Sequence, residues 1–181
     1  MKFIYFFLLI PSLAFSQIDS TIVEFPTKDG KVVYESIVEN PTLNKTKLYG
    51  ASKKWIADTF KSAKNIIQSE DSNSGQIIGK FYNELGIFKN EKSLVGKKFD
   101  TQCSIQIDVK DGKCRIRLYD IAWLYPNKDW VTFTKPLDDF LNEADVKEYS
   151  KWLSIPKVNA LYYGFIDSYK KAIMSGVDDA F

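Results

Sequence analysis

Residues 101–121 read TQCSIQIDVKDGKCRIRLYDI, and apolar and polar side chains alternate on both sides of a central Asp-Gly pair. Asp111 and Gly112 are typical of a two-residue β-hairpin turn, which sets Val109 opposite Cys114. One face of the predicted hairpin is apolar and carries Cys103, Ile105, Ile107, Val109, Cys114, Ile116 and Leu118. The other face is polar and carries Ser104, Gln106, Asp108, Lys110, Lys113, Arg115, Arg117 and Tyr119. Such alternation predicts a sheet with one covered face and one face in water.

The same register places the two cysteines of the chain far apart. Cys103 lies opposite Asp120, whereas Cys114 lies opposite Val109, which is six residues further along the first strand. Six residues of strand span about 20 Å, which is well beyond the reach of a disulfide. We therefore predict no disulfide and two small, buried, apolar cysteine side chains.

Upstream of the hairpin, the sequence predicts a helix followed by a strand. Ser52 is the expected N-cap of the helix, which should stop near Ser69 at the start of a polar turn cluster. The apolar residues recur at helical spacing: Trp55, Ile56, Thr59, Phe60, Ala63, Ile66 and Ile67. Residues Gln76 to Leu85 alternate as in a strand, and 86–98 form a connection without a clear pattern.

The segment before this helix predicts a second, shorter hairpin. Thr21 to Phe25 and Lys31 to Glu39 are the expected strands, and the turn between them ends in Gly30. Residues 40–50 are expected to form a loop, because they contain Pro41, Gly50 and several polar side chains.

Downstream of the hairpin, the chain is first aromatic and then predicted to be helical. One helix is expected from Pro136 to Leu153, and a second from Pro156 to Gly176. The second has an apolar stripe of Val158, Leu161, Tyr162, Phe165, Ile166, Tyr169 and Ile173. Together these elements predict an α+β fold, with a four- or five-stranded, mainly antiparallel sheet. The Ser52 and Val158 helices are expected on its apolar face.

The N-terminus has the pattern of a signal peptide. A single charge at Lys2 precedes the apolar run Phe3 to Ile10, and Ala14 and Ser16 form a small-x-small cleavage signal. The run is broken by Pro11 and is too short for a membrane-spanning helix. We therefore expect residues 1–16 to be removed and no transmembrane segment to remain. The product is a single exported domain, 17–181, with a core at about 31–121 and a helical extension at about 136–176. It is expected to be periplasmic or secreted, in a Gram-negative bacterium.

Composition excludes several kinds of function. The chain has no histidine, so a Ser-His-Asp or Cys-His nucleophile cannot form. Two cysteines alone do not make a zinc site, and no metal or cofactor is predicted. Without Lys2, 24 basic residues face 23 acidic ones, and this balance argues against a nucleic-acid partner.

Four segments, in the same order and spacing, carry a resemblance to a known family. They are Val32-Val33-Tyr34, the helix beginning Ser52-Lys53-Lys54-Trp55, the segment Gly75-Gln76-Ile77-Ile78-Gly79-Lys80, and the hairpin from Ile105 to Arg115. The chain resembles exported bacterial proteins of domain-of-unknown-function family 4468, which have a TBP-like fold. The resemblance implies a twisted antiparallel sheet with helices on one face. The resemblance brings no known activity and no catalytic residues, and the name of the fold does not imply that the protein binds DNA.

The polar hairpin face is the first candidate binding surface. Arg115, Arg117 and Tyr119, with Gln106 and Asp108 across the hairpin, could clamp a carboxylate, a phosphate or an acidic sugar. The alternative is a solvated strand face held by cross-strand pairs such as Asp108 with Arg115, and we favour this alternative.

The aromatic segment is the second candidate. Trp123, Tyr125, Trp130 and Phe133 would suit a sugar, a peptide or a protein partner. The favoured alternative is that they cover the end of the core. The carboxylate pairs Asp138-Asp139 and Asp178-Asp179 are not interpreted as acid/base pairs, because adjacent helical residues point in different directions.

The resulting functional hypothesis is a non-catalytic, exported binding or envelope-associated module. Its partner would be a glycan, a peptide or an envelope protein. The alternatives are a hydrolase with a carboxylate-based site and a purely structural subunit of a cell-envelope complex.

Overall fold

The structure is a computed structural model that describes residues 24–60, 63–88, 97–126, 132–141 and 155–175. The strands are β1 (Thr27–Lys28), β2 (Lys31–Val32), β3 (Tyr34–Glu39), β4 (Ile67–Asp71), β5 (Gln76–Phe88), β6 (Lys97–Lys110), β7 (Lys113–Pro126) and β8 (Thr132–Pro136). The helices are α1 (Lys45–Thr59), α2 (Ala63–Ile66), α3 (Ile155–Met174) and the 3₁₀ turn Leu137–Leu141. The predicted α+β class is confirmed.

The central hairpin has the predicted register. Lys110 pairs with Lys113 and Val109 with Cys114, so Asp111 and Gly112 form the turn. All seven residues of the predicted apolar face are buried, from Cys103 to Leu118. Both cysteines are free thiols inside this core.

The register of this hairpin shifts at one position that alternation alone does not show. Ser104 pairs with Tyr119 but Gln102 pairs with Ala122, so Asp120 and Ile121 together oppose Cys103. This is a β-bulge, and it reverses the faces of β7 beyond it. Asp120 stays in water, whereas Trp123, which strict alternation would place beside Tyr119, is only 2% exposed. The bulge therefore transfers Trp123 from the predicted binding surface to the core.

Within the described residues the main sheet has six strands, rather than the four or five expected. Its order is β3-β7-β6-β5-β4, and β8 pairs with the second half of β7 on the same side as β3. All pairings are antiparallel. Two of these strands were not predicted. β4 overlaps the predicted end of the first helix near Ser69, and β8 lies in the aromatic segment just before the helix predicted from Pro136. A five-residue strand at a sheet edge is stabilised by its neighbour rather than by its own pattern, and sequence periodicity therefore misses it.

Helix α1 begins eight residues earlier than predicted, counted from N-cap to N-cap. Asn44 is the N-cap and accepts a hydrogen bond from the backbone of Lys47 at 3.0 Å. Ser52 is buried within the helix, where its hydroxyl bonds the Leu48 carbonyl at 2.8 Å and lies 2.9 Å from the Tyr169 hydroxyl. The prediction of a loop at 40–50 was wrong for 45–50, because Leu48 and Ala51 bury the first turns of the helix. The helix ends at Thr59 rather than near Ser69, since Phe60 is already extended.

The N-terminal hairpin is shorter than predicted and lies beside the main sheet. Strands β1 and β2 pair around Asp29 and Gly30, both of which have positive φ. The expected first strand is shifted: Phe25 is a core residue outside any strand, and 21–23 lie outside the described residues. The predicted strand 31–39 is interrupted at Val33, whose N–H donates to the Pro26 carbonyl at 3.0 Å.

Helix α3 covers the apolar face of the sheet together with α1, as predicted. Its apolar stripe is buried at Val158, Tyr162, Ile166, Tyr169 and Ile173. Two polar contacts fix its position: the Tyr162 hydroxyl donates to Thr101 at 2.9 Å, and the Tyr34 hydroxyl donates to Asn159 at 2.5 Å. The open face of the sheet therefore lies opposite both helices.

The predicted helix 136–153 is only partly described. Pro136 ends β8, and a single 3₁₀ turn follows at Leu137–Leu141, while 142–153 lie outside the described residues. The Asp138 carboxylate accepts the Val32 N–H at 2.7 Å, so it joins this turn to β2. Asp178 and Asp179 lie outside the described residues. Within those residues, no helix is long and apolar enough to cross a membrane.

Candidate functional site

The open face of the sheet is built from rows of side chains that run across the strands. One row contains Ile37, Arg115, Asp108, Gln76 and Asp71 at paired positions on β3, β7, β6, β5 and β4. The neighbouring row contains Glu35, Arg117, Gln106, Ile78 and Ser69. The two candidate arginines therefore lie in adjacent rows with different neighbours.

Arg115 is bonded within its own sheet through two of its three guanidinium nitrogens. Its Nε and Nη2 both bond Oδ2 of Asp108, at 3.1 Å and 2.7 Å. Gln76 and Gln106 also donate to this carboxylate, at 3.0 Å and 2.9 Å. This is the cross-strand pairing that the sequence analysis favoured over ligand capture.

The pKa of Asp108 depends on these partners. Partial burial by itself would raise the pKa, but the hydrogen bonds from Gln76, Gln106 and Arg115 outweigh it and hold the pKa below its usual range. A carboxyl with a lowered folded-state pKa adds stability above its unfolded pKa, and this stability is lost as the pH falls through the folded value.

Asp108→Asn should therefore lower the free energy of unfolding by about 1 kcal/mol at pH 7. The difference from the parent protein should shrink as the pH falls below about 4, where the parent carboxyl is also protonated. Urea unfolding at both pH values measures this. Asp58→Asn is the control, because its pair with Lys54 is 63% and 65% exposed and should contribute nothing measurable. If Asp108→Asn lowered the free energy of unfolding equally at both pH values, the ionised Asp108 carboxylate would not be the source of the stability.

Arg117 is held differently from Arg115. Its Nε donates to Oε2 of Glu35 at 2.8 Å, and Lys28 bonds the other oxygen of the same carboxylate at 2.9 Å. Within the described part of the chain, the two terminal nitrogens of Arg117 have no bonded partner. Glu35 therefore orients the guanidinium and leaves its planar end available, which is the end that binds carboxylates bidentately.

Arg117 lines an open concavity of about 480 Å³. Its wall is formed by β7 and the small hairpin, and it is lined by Lys28, Asp29, Lys31, Val33, Arg117, Tyr119 and Asp120. This volume is within the range of about 300–1,000 Å³ that small-molecule sites occupy. Burial and the neighbouring Asp120 raise the pKa of Tyr119, so its hydroxyl stays protonated.

Asp120 at the rim has an uncommon backbone conformation. Its φ is +47°, in the left-handed region that non-glycine residues rarely adopt, and it is the bulged residue of β7. Such conformations and bulges are enriched beside functional sites, where they redirect a side chain. Here the bulge holds the Asp120 carboxylate at the concavity and away from the core.

The structure therefore separates the predicted site residues into groups. Arg117 and Tyr119 share the concavity, Arg115 lies outside it in a smaller one of about 260 Å³, and Trp123 is in the core. Burial of Trp123 agrees with the alternative that the aromatic segment covers the end of the core. Tyr125 pairs with Phe133 across β7 and β8, while their side chains and the whole of Trp130 lie outside the described residues.

The small hairpin was not predicted to be part of this surface. Lys28, Asp29 and Lys31 come from a segment distant in sequence, and only tertiary packing brings them beside β7. Asp120 was missed because strict alternation places it on the covered face.

Two further kinds of chemistry receive no support from the described residues. Burial raises the pKa of both cysteine thiols, so neither is an activated nucleophile. Among the residues with described positions, no cluster of three or more Cys, Asp or Glu side chains could hold a metal ion.

This architecture is an antiparallel sheet with helices on one face and an open second face. A family model described as a domain of unknown function (DUF4468) with TBP-like fold matches residues 34–123. The chain belongs to this family, as its sequence motifs indicated.

Two solved structures share the fold. A DUF4468 family protein from Bacteroides ovatus ATCC 8483 is 20% identical, with a TM-score of 0.61 over 84% of this chain and 91% of its own. A TBP-like protein from Parabacteroides distasonis ATCC 8503 is also 20% identical, with a TM-score of 0.58 over 80% and 96% of the two chains. No curated protein matches the sequence. At 20% identity the two solved structures establish the fold alone.

Proposed function

We propose that this protein is a non-catalytic ligand-binding module of the bacterial cell envelope, and that the Arg117 concavity is its binding site. The observation that carries the proposal is the difference between the two arginines. Both arginines are ion-paired, but Arg115 bonds Asp108 through Nε and Nη2, whereas Arg117 bonds Glu35 through Nε alone. Within the described residues its two terminal nitrogens have no bonded partner, and Arg117 lines a concavity. A positioned guanidinium with a free planar end is a ready site for an oxyanion.

The geometry favours binding over a carboxylate-based hydrolase. Such a hydrolase needs one carboxyl group that burial keeps protonated, beside a second that is ionised. The two carboxylates of the concavity, Asp29 and Asp120, are both exposed.

Export is part of the same proposal. The signal-peptide pattern at 1–16 supports it, and the mature chain would begin at Gln17. Mass spectrometry of the protein from a periplasmic or culture fraction measures this directly. An intact Met1 in the purified product would contradict export by this route.

The proposed site predicts a selective effect of Arg117. We expect Arg117→Ala to weaken binding of an oxyanion ligand at least tenfold, with Arg117→Lys intermediate because a lysine keeps the charge but not the planar fork. Thermal-shift screening of the purified exported protein against carboxylated, phosphorylated and neutral glycans and peptides finds the ligand. A ligand at about 100 times its Kd stabilises the protein by about 2.7 kcal/mol.

Arg115→Ala is the matched control, because it removes an arginine from the same strand and face but outside the concavity. It should keep wild-type affinity. Equal loss of binding in the two alanine variants would contradict the assignment of the site, as would retention of binding in Arg117→Ala.

A further inference from the structure

We propose that the ligand of the Arg117 concavity is an acidic sugar, a polyhydroxylated ring with one carboxylate. This inference rests on the proposed binding function and adds the chemical class of the ligand. It follows from the combination of groups that line the concavity.

The cationic side of the concavity provides two recognition elements for a carboxylate. The terminal nitrogens of Arg117 belong to a planar fork that can donate two parallel hydrogen bonds to the two oxygens of a carboxylate. Lys31 is exposed, and within the described residues its ammonium has no ion-pair partner. Lys28 is already bonded to Glu35, which is also the partner of Arg117.

The acidic side of the concavity disfavours a phosphate. Asp29 and Asp120 are exposed at its rim, and neither has an ion-pair partner among the described residues. A phosphate group carries about −1.5 to −2 charges at neutral pH and would be repelled by both. A sugar ring with a single carboxylate is repelled less, and its hydroxyl groups can donate hydrogen bonds to these acceptors.

The remaining wall is suited to a ring. Tyr119 is half-buried and presents an aromatic ring with a protonated hydroxyl, and Val33 adds apolar surface beside it. Tyrosine combines apolar contact with a polar tip, which is the combination that a sugar ring with C–H and O–H groups requires.

NMR titration of the purified exported protein with sodium glucuronate, inorganic phosphate and glucose at pH 7.5 tests the inference. We expect glucuronate to bind at least tenfold more tightly than either other probe, with amide shifts at Lys31, Tyr119 and Asp120. Arg117→Ala should abolish the preference over glucose. Arg115→Ala should preserve it.

Asp120→Asn tests the origin of the selectivity. Asparagine tolerates positive φ, so the bulge is preserved while the charge is removed. The ratio of the phosphate Kd to the glucuronate Kd should fall at least threefold. An unchanged ratio would overturn the role of Asp120 and with it the argument for an acidic sugar.

The outcomes separate the two proposals. If phosphate binds as tightly as glucuronate, and Arg117→Ala abolishes its binding, the acidic-sugar inference is wrong and the binding site stands. If no probe shifts the concavity residues, the acidic-sugar inference is wrong, and the thermal-shift screen with peptides and other glycans decides the proposed function. If a probe binds and Arg117→Ala has no effect on it, both proposals fail.

Discussion

Tyr162→Ala is expected to lower the free energy of unfolding by about 3–5 kcal/mol, the range measured when a large buried aromatic side chain is removed. Tyr162 has no exposed surface and lies between α3 and the sheet. Its ring stacks on Tyr34 at a centroid distance of 5.0 Å. Its hydroxyl donates to Thr101, which is itself fully buried, so alanine would leave both a cavity and a buried hydroxyl without its partner.

Tyr163→Ala is the matched control, because the next residue of the same helix also contacts Tyr34, edge-on at 5.2 Å, but is 37% exposed. Tyr163→Ala should lower the free energy of unfolding by at most about 1–2 kcal/mol, since water can fill the space that the ring leaves. Tyr162→Phe should cost about 1–2 kcal/mol, which is the penalty for the unpaired Thr101 hydroxyl alone. Urea unfolding monitored by circular dichroism measures all three. Equal losses for Tyr162→Ala and Tyr163→Ala would show that α3 does not pack on the sheet as described.

The second large effect is expected from Gly75→Ala, which should destabilise the protein by about 2–4 kcal/mol. Gly75 has a φ of +78°, a conformation that costs an L-residue about 1–2 kcal/mol. A Cβ there would also overlap the backbone oxygen of Val109. That oxygen cannot move freely, because the adjacent Val109 N–H donates to the Gly75 carbonyl at 2.7 Å.

Gly50→Ala provides the control with the opposite sign. Gly50 lies on the exposed side of α1, and an added Cβ would have no atom within 4 Å. Alanine at an exposed helical position should stabilise the protein by up to about 1 kcal/mol. Thermal melts of the two variants therefore should shift in opposite directions. A neutral Gly75→Ala would contradict the close approach of this turn to β6.

The central hairpin was predictable because its information is local. Asp111-Gly112 specifies a turn, and alternation on both sides specifies the register and the buried face from Val109 and Cys114 outward. The stripe of α3 was predictable for the same reason, since five of its seven apolar positions are fully buried and the other two pack against the core. These two elements were sufficient to indicate the α+β class and the open face.

The start of α1 shows where local signals mislead. Ser52 has the residue type of an N-cap, but Asn44 takes that position, and the Ser52 hydroxyl instead meets Tyr169 of α3 inside the core. Both residues are good caps in isolation. Burial of Leu48 and Ala51 against the rest of the protein selects between them, and this burial depends on residues distant in sequence.

The candidate site was predictable only as a set of residue types on one strand. Alternation placed Arg115, Arg117 and Tyr119 on the open face, and the structure agrees. The difference between Arg115, bonded through Nε and Nη2, and Arg117, bonded through Nε alone, comes from Asp108 and Glu35 on the strands that flank β7. The concavity exists because the hairpin of β1 and β2 packs beside β7. The bulge at Asp120 also shapes it, since the Asp120 side chain is exposed to water and Trp123 lies in the core. The periodicity of a sequence predicts which face of a sheet a side chain occupies, because side chains alternate along a strand. Pairing partners and bulges depend on neighbouring strands that only folding brings together.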